Sequence, residues 1–408
     1  MVAHFIRKIG LAGWLIITYF GLVSPLFKYV IPVPVSMIIV PLAMIVMGIV
    51  AYTKVKRTKT LLDYAILLVA FEFLITPLAS YFAFGQPLSR GALAARTFLV
   101  IMFAYYLAER PSSMVYLFRL KISLSKYVVP LSIIALYVFN IDNLAISQLF
   151  NVSTDDVTEG SELKGASLAY ASAGIPVMFV YYLMRYAREG SRKFLFMVVL
   201  TVAYYVFCAK GRLLLVGCVG VLLVFCVQNW NARTRKLLWW AAAGFVGVCL
   251  YDIHVFDSLL ALGDFFGISG KVEDSSVLVR VANRDYIWPL VMAHPVFGVG
   301  NLSNQFHPNF FDLFHEQFYV ADMGYLGVLL TGGFFKAFVY VLFFIAAFRR
   351  CKEIGPDADI IKYLLFYYLY LCIACQDVFL FDYAVVFVIP PLLNIECLHD
   401  GKYPLFRR

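Results

Sequence analysis

Arg280, Arg284 and Trp288 recur every four residues in SSVLVRVANRDYIWPLVMA (275–293). On a helix that spacing stacks the three side chains on one face, a turn apart. Two guanidiniums so placed make a clamp for a diphosphate, because each planar fork donates a bidentate pair of hydrogen bonds to phosphate oxygens. A tryptophan on the same face suits a helix lying at headgroup level. A second reading needs no substrate, since arginines on such a helix also anchor it to anionic lipid. Both readings fit the residues.

The surrounding polar stretch, Asp252 to Asp322, holds His254, His294, His307 and His315 of the chain's six histidines. In HPVFGVG (294–300), Pro295 ends the arginine helix, and Gly298 and Gly300 permit a sharp turn. His294 reads as structural rather than catalytic. His315, Glu316 and Asp322 are the groups able to take a proton from a hydroxyl. For Asp322, capping the apolar helix that follows is an equal explanation. Gly324, Gly327, Gly332 and Gly333 read as close helix packing, and no G-K-[ST] follows to make a phosphate loop. The tight turn CAKGRLLL (208–215) adds two further cations, Lys210 and Arg212. Cys372 and Cys375 form C-x-x-C inside an apolar run with no second pair; a zinc site takes about four ligands. No metal and no cofactor is expected.

The elements that must position these groups are apolar. The chain has 408 residues, 62% hydrophobic and only 14% charged, with mean hydropathy +0.82. Repeated apolar runs long enough to cross a hydrocarbon core of about 30 Å predict an all-α integral membrane protein. A barrel would show short alternating strands instead. About twelve transmembrane helices are expected, at 10–28, 34–52, 61–83, 91–108, 126–141, 167–184, 194–209, 212–228, 236–254, 322–347, 359–374 and 376–396. The first run has no small-residue cleavage site after it and is expected to be retained.

The segments between spans alternate in charge. KVKRTK (54–59), ERPSSMVYLFRLKISLSK (109–126), RYAREGSRK (185–193), NARTRK (231–236) and RRCKE (349–353) are basic and fall on the side of both termini. The positive-inside rule makes that side cytoplasmic. The formal net charge of +9 then holds loops against translocation, and no basic arm with interleaved aromatics points to nucleic acid. The whole chain, 1–408, reads as one polytopic domain. It has a first external loop at 142–165 and a large one at 252–321, before the tenth span, that carries the probable site. Arg90, Arg96, Lys164, Lys271 and the four cations already named are the exceptions to the charge rule, and exceptions ask for a reason. Glu72 and Lys336 lie within spans at similar depth, which makes an ion pair possible; snorkelling of Lys336 is the alternative.

Taken together, R-x-x-x-W (284–288), H-P-x-F-G-x-G (294–300), a following histidine and D-x-G-x-x-G (322–327) resemble the O-antigen polymerase and ligase superfamily. The K-G-R at 210–212 is similar to another arginine motif of that family. The resemblance implies a membrane glycosyltransferase of GT-C type that uses glycans carried on undecaprenyl diphosphate at the outer face of the bacterial inner membrane. It implies His315 in the chemistry and Arg212, Arg280 and Arg284 around the diphosphate; from the residues themselves, Glu316 and Asp322 are the other candidate bases and Lys210 adds a cation beside Arg212. The partners it implies are the lipid-linked donor and acceptor, the bilayer, a chain-length regulator and a flippase. The ligase pattern has a histidine followed by asparagine, whereas this chain has His315-Glu316 and an aspartate at 322, which favours polymerase over ligase. A lipid-linked sugar flippase or secondary transporter is the rival. It would place its site near the midplane on an internal repeat, and the sequence shows no repeat.

Overall fold

The computed structural model of the chain describes residues 10–11, 13–16, 18–19, 35–139, 175–205, 212–230, 235, 239, 275–303, 323–372, 380 and 384–394. Every element among the described residues is helical. In chain order the α-helices are α1 (Val40–Lys54), α2 (Leu61–Phe84), α3 (Leu88–Val100), α4 (Phe103–Ala108), α5 (Pro111–Phe139), α6 (Ile175–Glu189), α7 (Arg192–Tyr204), α8 (Arg212–Gln228), α9 (Ser275–Ala293), α10 (Gly324–Ile354), α11 (Asp359–Leu371) and α12 (Ile389–Leu393).

Three stretches among the described residues are long and apolar enough to cross a membrane: Leu61–Phe84, Leu88–Ala108 and Gly324–Leu371. Their outward faces remain apolar. Leu74, Leu78 and Phe82 on α2 and Phe334, Phe338, Val341 and Ile345 on α10 are exposed, Phe82 by 79%. Side chains of this kind in contiguous rows are tolerated by lipid and not by water. An all-α, multi-pass membrane protein is therefore what these residues build.

The helices start and stop where their sequences dictate. Asp63 sits in the first turn of α2 and accepts from Thr60 N and Thr60 Oγ1, both at 2.7 Å. Its carboxylate also takes a bidentate grip from Arg57, at 2.7 and 2.8 Å, and a hydrogen bond from the Tyr105 hydroxyl at 2.9 Å. A carboxylate at a helix N-terminus faces the positive end of the dipole, so one buried residue caps α2 and ties it to α4. The helix ends at Gly85, whose φ of +70° gives the left-handed cap that glycine adopts without strain.

Packing runs α1 on α4, α2 on α3, α2 on α10, α6 on α7 and α8 on α11. Gly48 lies flat against the Met102–Phe103 backbone and Gly91 against Pro77, where a Cβ would collide. One large apolar core fills the bundle. A second, small cluster of Ile287, Val291, Val299, Met323 and Leu330 joins α9 to the start of α10.

Two expected loops are helix instead. Residues 111–126, read as part of a basic loop, form the first half of α5. Met114, Val115, Leu117, Phe118 and Ile122 are buried there, so their three- and four-residue spacing outweighs the charges beside them. RRCKE (349–353) likewise belongs to the last turns of α10, which runs to Ile354. The expected spans at 61–83 and 212–228 match α2 and α8 within a residue. The spans placed at 236–254 and over most of 10–28 lie outside the described residues.

Candidate functional site

The arginine-bearing helix forms over the expected residues, Ser275–Ala293. Asn283, Ile287 and Val291 make its buried stripe, and Arg284 and Trp288 run alongside. The Arg284 side chain keeps 34% of its surface and Trp288 is 49% exposed. Arg284 is therefore half-buried, with one flank against protein. Arg280 stands one turn earlier on the same helix. Arg284 Nε and Nη2 both lie 3.0 Å from Asp285 Oδ1. Asp285 is the next residue in the sequence, and the four-residue spacing of the arginines gives no sign of it. A solvent-facing ion pair of this kind contributes little.

The turn 294–300 does not lie on the surface of α10; it plugs into a break in it. At Gly333 the backbone takes φ +62° and ψ −163°, so α10 is two half-helices meeting at Gly332–Gly333. A break leaves carbonyls orphaned on one side and N–H groups on the other. The turn supplies both sets of partners. Val299 N donates to Leu330 O at 2.7 Å and Gly300 N to Thr331 O at 3.1 Å. Phe334 N and Phe335 N donate in return to Pro295 O and Val296 O, at 2.8 and 3.1 Å. Interrupted backbone is tolerated inside a membrane-crossing stretch only where protein satisfies it in this way. Gly298 (φ +62°) presses on the α10 backbone and Gly300 (φ +76°) on Thr76 and Ser80 of α2. The glycines at 332 and 333, expected to serve helix packing, serve the break.

Beyond the turn, Gln86 holds the chain. Its Nε2 donates to Ser80 Oγ at 2.9 Å and to Asn301 O at 3.0 Å, and its Oε1 accepts from Ser303 N at 2.7 Å. The side-chain amide thus reads a carbonyl and an N–H two residues apart, as a neighbouring strand would. Gln86 is completely buried. In the sequence it is one polar residue between Gly85 and Pro87, with nothing to mark it.

Lys336 is also completely buried, and its Nζ donates to Thr331 Oγ1 at 2.9 Å. The snorkelling alternative is therefore overturned: the ammonium turns inward, to a polar acceptor at the break. Glu72 is completely buried on α2, which packs on α10. Arg212 opens a different helix, α8, which packs on α11. Lys210, His254, His307, His315, Glu316 and Asp322 lie outside the described residues. The segment that holds His307, His315, Glu316 and Asp322 begins after Ser303 and ends before Met323, and Met323 joins Val299 and Leu330 in the small cluster. His294 is exposed at the end of α9, and its N–H and carbonyl serve the helix end and the turn. Among the described residues no group of histidines, cysteines and carboxylates is placed to hold a metal ion.

Long apolar helices, a broken span and a polar turn sealed into it define a multi-pass α-helical membrane protein with its polar groups gathered near one joint. Residues 196–341 match the family model described as O-Antigen ligase, so over this segment the chain is similar to the O-antigen ligase and polymerase superfamily. The match takes in α8, α9, the 294–300 turn and α10 past its break; α2 and Gln86 lie outside it. No curated protein matches the chain.

Proposed function

We propose that the chain is a membrane glycosyltransferase that polymerises oligosaccharide repeat units carried on undecaprenyl diphosphate, at the outer face of the bacterial inner membrane. The observation that carries this reading is α9: Arg280 and Arg284 one turn apart, on a helix fixed to a broken span inside the segment similar to O-antigen ligases. The leaving group in such a transfer is a lipid diphosphate. Catalysis then needs fixed cations where negative charge grows, and arginines supply it. Arg212 and Lys210 complete the cationic set. His315, Glu316 or Asp322 takes the proton of the acceptor hydroxyl from within about 3 Å. The donor sugar's bond to the diphosphate breaks as the acceptor oxygen bonds to the anomeric carbon, and the diphosphate leaves with the lipid. We place both termini in the cytoplasm, the site in the periplasm within 252–321, and about twelve spans in a GT-C-like bundle.

Ligation of the finished glycan to lipid A-core is the second reading, favoured by the description of the matched family model. The glycan pattern of a deletion strain separates the two. Core bearing one repeat unit and no ladder means polymerase. Naked core with polymer accumulating on its lipid carrier means ligase. A normal ladder removes O-antigen as the substrate and leaves other envelope glycans or the transporter reading. Complementation with Arg284→Ala that stalls in the deletion state supports the clamp, and full complementation removes it.

A further inference from the structure

A lysine wholly buried in a membrane-crossing stretch is costly, and the residues around Lys336 on α10 are Phe334, Phe335, Ala337 and Phe338. An apolar residue would serve helix packing better at that position. What sets Lys336 apart is its place on the break. It lies in the first turn of the second half-helix, and its stem folds back across Gly332, filling the space where a Cβ would stand. The ammonium then reaches Thr331 Oγ1 at 2.9 Å, at the end of the first half-helix. That end carries the negative pole of its dipole, so the cation is favoured there. The Thr331 hydroxyl spends its own hydrogen on Gly327 O at 2.8 Å, which leaves a lone pair for the lysine. The rings of Phe98 and Tyr340, at 4.9 and 5.5 Å, flank the charge. One bond further on, Thr331 O receives Gly300 N, the last backbone bond of the plugged turn.

The geometry points to Lys336 as a positioning residue: through Thr331 it latches the two halves of α10 in the broken state that receives the 294–300 turn, and so fixes the height and rotation of the arginine face of α9. The latch stands on these contacts alone. Its consequence for a diphosphate rests on the glycosyltransferase reading above.

The test uses the full chain in lipid nanodiscs, as wild type, Lys336→Met, Lys336→Arg and Thr331→Val. Amide hydrogen exchange is followed over 286–303 and 328–336. The KM and kcat are measured with a polyprenyl-diphosphate-linked repeat unit extracted from the bacterium. Lys336→Met is expected to speed exchange at Val299, Gly300, Phe334 and Phe335 by about tenfold or more, with α8 and α11 unchanged. Donor KM is expected to rise about tenfold with kcat within about threefold, the mark of a displaced binding group rather than a lost reacting one. Lys336→Arg keeps the charge and donors and is expected to recover most of both effects. Unchanged exchange in Lys336→Met and Thr331→Val overturns the latch. Faster exchange with unchanged KM overturns the positioning. If Lys336→Met loses protection throughout the bundle, Thr331→Val, which removes only the acceptor hydroxyl, decides by the same two readouts. Absence of transfer by the wild-type chain overturns the glycosyltransferase reading and leaves exchange over α9 and the turn to judge the latch.

Discussion

Ser303 N donates to Gln86 Oε1 at 2.7 Å, joining residues 217 positions apart in the chain. With the bond from Gln86 Nε2 to Asn301 O, it fixes the last described residues before the segment that holds His315, Glu316 and Asp322. Gln86→Leu removes all of these bonds at a completely buried position. Each stranded polar group costs about 1–3 kcal/mol, so a loss of that order in detergent unfolding is expected. Gln86→Glu keeps the acceptor for Ser303 and is expected to fall between leucine and wild type. Equal stability of Gln86→Leu and wild type would remove the clamp.

The plugged turn makes unequal demands on its glycines. Gly85 and Gly300 both take a positive φ, +70° and +76°, so alanine at either meets a left-handed penalty of about 1–2 kcal/mol. Nothing lies within 4 Å of a Cβ at Gly85, whereas at Gly300 it meets the backbone of Thr76 and Ser80. Gly85→Ala is therefore expected to be tolerated. Gly300→Ala is expected to unseat the turn and to lose at least about 1 kcal/mol more. Gly333→Ala, with φ +62° and Val296 O in the way, is expected to behave as Gly300→Ala does. Thermal unfolding of the variants orders them. Parity between Gly85→Ala and Gly300→Ala would mean that the turn is not packed against α2.

Arg284 and Asp285 give a test of the clamp with an opposite sign. Asp285 competes for the guanidinium at 3.0 Å, on the exposed side of α9. Asp285→Asn is expected to lower the KM for a lipid-diphosphate donor by up to about threefold, since screened pairs of this type are worth little. Arg284→Ala is expected to raise it by at least about tenfold, the scale of a lost charge-assisted contact. If α9 only anchors the chain to anionic lipid, both variants shift membrane binding of a 275–293 peptide and neither changes donor KM.

The sequence made the bounds of α9 legible, because Pro295 and the four-residue spacing of Arg280, Arg284 and Trp288 are local signals. The matches at α2 and α8 have the same origin in unbroken apolar runs. The break at Gly333 was half legible. Gly332-Gly333 is visible in the chain, but packing and interruption leave the same glycines, and only the partner turn, more than thirty residues earlier, distinguishes them. Gln86 was illegible because the partners that give it its role, Asn301 O and Ser303 N, are backbone atoms far along the chain, and backbone atoms carry no sequence. The loop expected at 109–126 failed for a different reason: charge was weighed above the buried spacing of Met114, Phe118 and Ile122.

Glu72 offers the last prediction. Thr76 lies one turn after it on α2, both are buried, and Gly300 packs on the Thr76 carbonyl while bonding to Thr331, the acceptor of Lys336. The carboxylate on α2 and the ammonium on α10 are thus both buried on helices that pack together, where opposite charges offset one another's burial. Neutralising one alone leaves the other uncompensated, at a cost of about 3–5 kcal/mol, whereas removing both together costs less. Glu72→Gln and Lys336→Met are each expected to destabilise the chain, and the double variant is expected to be more stable than Lys336→Met by at least about 1 kcal/mol. Additive losses in a double-mutant cycle would show that the two charges are independent. The same cycle bears on the transporter rival. A transport role predicts that the double variant, although refolded, stays inactive while Arg280 and Arg284 variants work. The glycosyltransferase reading predicts that Arg280 and Arg284 variants lose activity, while the double variant regains stability and keeps the raised donor KM of Lys336→Met.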